Sequence, residues 1–266
     1  MSEASLAPAG GARGLFLPII SSDVAFWTTV VAILGTTISP YLFFWQASLE
    51  VEDGRALPKR KPFVDAPEQA SNAFRRIRQD TTIGMAFSNL AALAIMITTA
   101  ATLHAAGKTD IQTTSQTAEA LRPVAGGFAF ATFSLGILGT GLLAIPVLAG
   151  SSAYALGEAR RWPTGLAREP SKAKAFYATI AIATFVGAGV NFSPLDPIRA
   201  LFWSAVINGV VSAPIMVLTM LMASRADVMG EVPVRGLLRW VGWISSGVMG
   251  VAVAFMLWSM AAGRGS

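Results

Sequence analysis

Six stretches of the chain carry no Asp, Glu, Lys or Arg: 24–49, 81–107, 123–157, 175–195, 200–224 and 240–263. The shortest has 21 residues and the longest 35. A helix needs about 20 apolar residues to cross ~30 Å of hydrocarbon at ~1.5 Å per residue. Every stretch meets that length, so the pattern predicts six membrane-spanning helices in an all-α integral membrane protein. The longest stretch holds either one long helix with a polar end or a helix that passes into a loop at Pro146. Start signals agree with the spacing. Ser22 or Asp23 can cap the first span and Ser171 the fourth, while Asp196-Pro197 combines a capping carboxylate with a first-turn proline for the fifth. This defines one transmembrane domain over 23–263, preceded by a tail, 1–22. The polar segment 109–122 reads as a short surface helix or loop.

Composition sharpens that picture. Only 13% of the 266 residues are charged and mean hydropathy is +0.57. Soluble domains carry about 25% charged residues, so the composition points away from an ordinary soluble enzyme. The absence of cysteine removes disulfide frameworks and thiol nucleophiles, and the single histidine, His104, removes multi-histidine metal cages. No HExxH, GxSxG or buried acid pair marks an enzyme. The net charge of +5 raises the question of nucleic acid, and the distribution of the charges answers it. Segments 50–80, 158–174 and 225–239 together hold 15 Lys and Arg, and the alternating segments hold 5. Basic residues concentrate on the cytoplasmic side. The high isoelectric point therefore reads as membrane topology, with both termini extracytoplasmic and no nucleic-acid partner. The tail lacks the basic start and apolar core of a signal peptide. The lipid bilayer, and specifically a bacterial inner membrane, is the expected setting.

The first span contains an interruption. Gly35-Thr36-Thr37-Ile38-Ser39-Pro40 lies mid-membrane. Pro40 has no amide hydrogen, so the Thr36 carbonyl loses its helical donor. An unsatisfied carbonyl in lipid costs several kcal/mol. Two readings follow. The segment is a kink relieved by a neighbouring helix or by the threonine hydroxyls, or it is a binding site of the kind that interrupted helices form in secondary transporters.

The run from Gly35 through Tyr41-Leu42-Phe43-Phe44-Trp45-Gln46-Ala47-Ser48, with Glu50-Val51-Glu52 after it, resembles the sixth helix of the Nramp family of divalent-metal transporters. It is most similar to the magnesium-associated branch. Thr109-Asp110-Ile111-Gln112 and Gly139–Gly150 resemble the same branch. The resemblance implies a LeuT-like fold of two inverted five-helix repeats plus a final helix. This chain would correspond to the second repeat and that last helix. In the family a methionine sulfur and a carbonyl three residues earlier hold the metal. Those positions fall on Ser39 and the Thr36 carbonyl, with Tyr41 in place of the family's histidine. Sulfur suits softer metals, whereas hydroxyl, carbonyl and water suit Mg²⁺ and Mn²⁺. The implied site therefore takes a harder, partly hydrated cation, which is cargo rather than cofactor. The family's Asp-Pro-Gly-Asn motif is absent, and no carboxylate lies inside any of the six stretches. The chain thus supplies at most half of a cation site, and a first-repeat companion chain is implied.

Other polar residues in the spans extend the candidate list. Thr37, Pro40, Tyr41, Gln46 and Asn208 are candidates for the substrate pathway. For Gln46, Asn89, Asn191 and Asn208 the simpler alternative is interhelical hydrogen bonding. His104 reads as an interfacial histidine, with metal or proton entry as the other reading. Glu50 and Glu52, with Asp53, form either a solvated helix end or a cytoplasmic mouth whose field concentrates cations. Gly136, Gly139 and Gly141 suggest close helix contact, and most tryptophans sit near span ends as interfacial anchors. The leading functional expectation is divalent-cation transport by alternating access. A non-transporting membrane subunit and an amino-acid permease of the same architecture are the alternatives.

Overall fold

The fold is given by a computed structural model, which describes residues 21, 23–57, 60–63, 65–104, 107, 116, 118, 122, 126–190 and 192–263, with Leu103 and His104 described by backbone alone. The expectations placed on the tail 1–20, on Ser22, on most of 109–122, on Asn191 and on the His104 side chain lie outside the described residues.

The described chain is helical. Helix α1 runs Val24–Thr37, α2 Pro40–Ala56, α3 Ala70–Thr99, α4 Ala129–Ala159, α5 Lys174–Val190, α6 Pro197–Ala223 and α7 Gly236–Ala261. A π-helical turn, Ala100–His104, continues α3. Among the described residues, five helical segments are long and apolar enough to cross a membrane; in one of them α1 and α2 follow each other across the break. The sixth apolar segment, α5, has 17 helical residues up to Val190, about 25 Å at 1.5 Å per residue, the short end of the range that crosses a bilayer.

Helix starts follow the capping chemistry in two places and depart from it in a third. The Asp23 carboxylate accepts the Ala25 amide at 3.2 Å, and the Asp196 carboxylate accepts the Ile198 amide at 2.8 Å. Ser171 does not begin the fourth span: α5 starts at Lys174, and the serine hydroxyl lies 3.5 Å from the Glu169 carboxylate. Pro146 stays inside α4 and Pro214 inside α6, so the loop alternative at Pro146 is not taken. Asp196→Ala is expected to destabilise the protein by about 1 kcal/mol through loss of the cap, measured as a lower thermal midpoint in detergent.

The helices form two packed groups. In the first, α1 crosses α6 and both meet α7. Val31, Ala32, Ala205, Val206, Ala252, Val253 and Met256 are buried between them. The crossing is tight because Gly35 faces Gly209: a Cβ on Gly209 would lie 2.5 Å from the Val31 carbonyl oxygen. Trp27 stacks on Phe255 at 4.9 Å between ring centres. In the second group, α2, α4 and α5 enclose Ala153, Tyr154 and Phe176. Here Trp45 lies against Gly150, where a Cβ would collide with its ring. Trp27 and Trp45 are therefore packing elements between helices. Gly136 and Gly139 meet nothing within 4 Å; among the described residues they do not serve close contact. Gly136 lies on the α4 side that faces α3 across an apolar groove of about 640 Å³. Every residue of α3 from Arg78 to Ala91 is exposed, Asn89 included.

Candidate metal centre

The discontinuity falls at Ile38 and Ser39. Helix α1 ends at Thr37, Ile38 sits at φ −117°, ψ 73°, and Ser39 is extended at φ −89°, ψ 125°. Proline explains this locally. It disfavours helical geometry in the residue before it, while its own fixed φ suits the first position of the following helix.

Most of the oxygens released by the break find internal partners. Ser39 Oγ donates to the Gly35 carbonyl at 2.8 Å and lies 3.3 Å from the Thr36 carbonyl. The Ile38 amide reaches the Leu34 carbonyl at 2.8 Å. The hydroxyls of Thr36 and Thr37 turn back onto the preceding turn, at 2.7 Å from the Ile33 carbonyl and 3.0 Å from the Leu34 carbonyl respectively. From α6, the fully buried Ser212 hydroxyl meets the Ile38 carbonyl and, at 2.7 Å, the Asn208 carbonyl. A neighbouring helix and local hydroxyls thus both support the interruption, as the kink reading expects.

The expected site residues divide into two sets. Thr36, Thr37, Ser39 and Pro40 surround the break, with Tyr41 opening α2 and Asn208 one helical turn before Ser212. Ser39 and Pro40 are buried, Thr37, Tyr41 and Asn208 half-buried, and Thr36 exposed. Gln46 lies further along α2, its amide nitrogen 3.4 Å from the Thr81 hydroxyl. Glu50 and Glu52 sit beyond it, near the C-terminal end of α2. Glu50 pairs with Arg76 at 3.0 Å and Arg60 at 3.6 Å. The Glu52 carboxylate accepts the Tyr154 hydroxyl and the Leu166 and Ala167 amides, at 3.1 and 3.2 Å for the amides. Close by, the buried Ser48 hydroxyl donates to Glu158 at 2.9 Å. Glu52 is therefore a clasp that fixes segment 162–170 against α2 and α4. Bonds to a charged acceptor contribute about 1.5–3 kcal/mol. Glu52→Ala is expected to speed hydrogen exchange at the Leu166 and Ala167 amides about tenfold or more, read by exchange mass spectrometry.

Sequence reasoning missed Ser212, Gly209 and Tyr154. Serine four residues after Asn208 was a visible signal, since a helical residue can reach its own i−4 carbonyl and a neighbour at once. Among the described residues no three His, Asp or Glu side chains gather in a way that could hold a metal ion. The break offers neutral oxygens alone.

Long apolar helices around a helix interrupted at mid-length define an all-α integral membrane protein. The family model described as "Natural resistance-associated macrophage protein-like" matches residues 5–259, and the chain belongs to the Nramp family. It is 25% identical to a divalent metal cation transporter MntH of Klebsiella pneumoniae strain 342, over 97% of this chain and 55% of that one. It is 26% identical to the protein of that name from Deinococcus radiodurans, over 88% and 49%. A third, from Xanthomonas campestris, is 31% identical over 42% and 24%. The chain spans about half the length of the curated relatives it matches most fully.

Proposed function

We propose that the chain takes part in transport of a divalent metal cation, of the Mg²⁺ or Mn²⁺ class, across a bacterial inner membrane by alternating access. It corresponds to the second repeat and final helix of the family architecture. Its basic loops lie in the cytoplasm and its tail outside. Ser39 Oγ and the Thr36 carbonyl contribute the neutral half of the cation site. Thr37, Pro40, Tyr41 and Asn208 border the pathway, and Gln46 lies further along it.

The observation that carries this reading is the pairing of those two oxygens at the break. They are 3.3 Å apart, near the roughly 3 Å between neighbouring oxygens on an octahedral cation with ~2.1 Å bonds. Ser39 Oγ is within donating distance of the Gly35 carbonyl at 2.8 Å and the Thr36 carbonyl at 3.3 Å, and a hydroxyl that donates one bond keeps oxygen lone pairs for a cation. Family membership and the divalent metal cation transport for which the MntH relatives are named support the cargo class. A divalent charge held by neutral oxygens in a low-dielectric site is costly to dehydrate. The carboxylates therefore come from a first-repeat partner, on a companion chain or on a further segment of the same polypeptide.

Proteoliposomes test this. Radiolabelled Mn²⁺ uptake is expected when the chain is reconstituted with a partner carrying an Asp-Pro-Gly-type broken helix, and not when this chain is reconstituted alone. Robust uptake by the chain alone would overturn the half-site, and no uptake with the partner would favour a non-transporting subunit. Uptake of amino acids in place of metal would revive the permease alternative.

A further inference from the structure

We propose that a cavity between the end of α2 and the start of α3 holds the headgroup of an anionic phospholipid. The cavity has a volume of about 390 Å³. Its walls combine apolar surface from Val51, Pro62, Phe63 and Ile77 with the basic side chains of Arg55, Arg60 and Lys61. Among the described residues Glu50 is the one acid on its lining, and that carboxylate is already held by Arg60 and by Arg76 from α3. The Arg60 side chain is only 14% exposed, with its guanidinium 5.4 Å from the centre of the Phe63 ring. It is locked in place. Among the described residues no acid pairs with Arg55 or Lys61, so their charge is available to a ligand.

Depth selects a lipid over a soluble anion. Glu50 directly follows the charge-free stretch 24–49, and Ile77 lies four residues before the stretch 81–107. Both helices therefore leave the hydrocarbon at the level of the cavity, which places it in the headgroup layer. Basic pockets between spanning helices at this depth suit anionic headgroups. The apolar walls suit the glycerol and first acyl carbons of a lipid, and a free phosphate would leave them unfilled. The assignment is independent of the transport reading, and its failure would leave that reading untouched.

Native mass spectrometry of the detergent-purified full chain provides the test, with phosphatidylglycerol, phosphatidylethanolamine and inorganic phosphate as probes. Phosphatidylglycerol adducts are expected to outlast phosphatidylethanolamine adducts, and equimolar phosphate is expected not to displace them. Arg55→Ala combined with Lys61→Ala should weaken phosphatidylglycerol binding about 30-fold, at roughly 1 kcal/mol per basic side chain. Val51→Trp, which fills the cavity and keeps every charge, should weaken it as well. Equal retention of the two lipids, binding that survives either variant, or displacement by phosphate would overturn the proposal. If Val51→Trp does not fold, the double variant decides, because it leaves the Glu50 ion pairs in place.

Discussion

Gly35→Val is expected to leave little correctly assembled protein. A Cβ at position 35 would fall on the Ala205 carbonyl oxygen and 2.5 Å from the Gly209 amide nitrogen, inside the 3.0 Å that real Cβ atoms respect. Both obstacles are backbone atoms, so no rotamer change relieves them and α1 must move away from α6. That movement opens the contact among Val31, Ala32, Ala205 and Val206, and it withdraws Ser212 from the Ile38 carbonyl. Overpacking costs about 1–3 kcal/mol in ordinary cores and more where the neighbours cannot yield. A better helix former than glycine returns at most about 1 kcal/mol. Gly35→Ala is therefore already destabilising, and valine adds two further carbons to the same collision. Gly247→Ala on α7, where nothing lies within 4 Å, is the matched control and should be neutral or slightly stabilising. Thermal midpoints and monodisperse yield in one detergent check both. A Gly35→Val protein with native stability would contradict the tight crossing.

Much of the fold was legible in the sequence because one physical rule dominates it: charges do not lie in hydrocarbon. The same rule misplaced the helix ends. Helix α2 continues through Glu50, Glu52 and Asp53 to Ala56, and α3 begins at Ala70, well before the charge-free stretch at 81. Charge keeps a residue out of lipid without keeping it out of a helix, and Glu, Lys and Arg are good helix formers. The rule counted α5 as a sixth span, and its 17 helical residues up to Val190 make it the shortest of the apolar segments.

The three mid-span prolines make a sharper comparison. Pro40 follows a break and opens a new helix, whereas Pro146 and Pro214 are carried within one. At Pro40 the freed backbone has Ser39 beside it and Ser212 opposite. The first was readable from the local sequence. The second comes from 174 residues away and was not. The Glu52 clasp has the same origin: Tyr154 and the Leu166 amide lie more than 100 residues along the chain. The local sequence offered only a solvated helix end or a cation-concentrating mouth there, and no partner for Glu52. Local chemistry, including the break and both aspartate caps, was visible in the residues. Long-range hydrogen bonds depend on how the helices cross, and the crossing is set by Gly35 and Gly209 together.

The proposed role of Ser39 carries the second large effect. The residue is 3% exposed and its oxygen sits between two carbonyls. Ser39→Met replaces an oxygen donor with a thioether, which favours softer ions, and Cd²⁺ should gain on Mg²⁺ and Mn²⁺ by about tenfold or more, ~1.4 kcal/mol. Ser39→Ala separates this from simple damage. It removes the hydroxyl and the cap on the Gly35 carbonyl, so hard-cation uptake should fall with no gain for Cd²⁺.

The most direct measurement is competition. Radiolabelled Mn²⁺ uptake is followed in vesicles holding the chain with a protein that carries an Asp-Pro-Gly-type broken helix, against graded Mg²⁺ and Cd²⁺, for native Ser39 and for Ser39→Met. An oxygen-lined half-site at the α1–α2 break predicts that Cd²⁺ becomes the stronger competitor only in the methionine variant. The same Mg²⁺, Mn²⁺ and Cd²⁺ order in both proteins would contradict it.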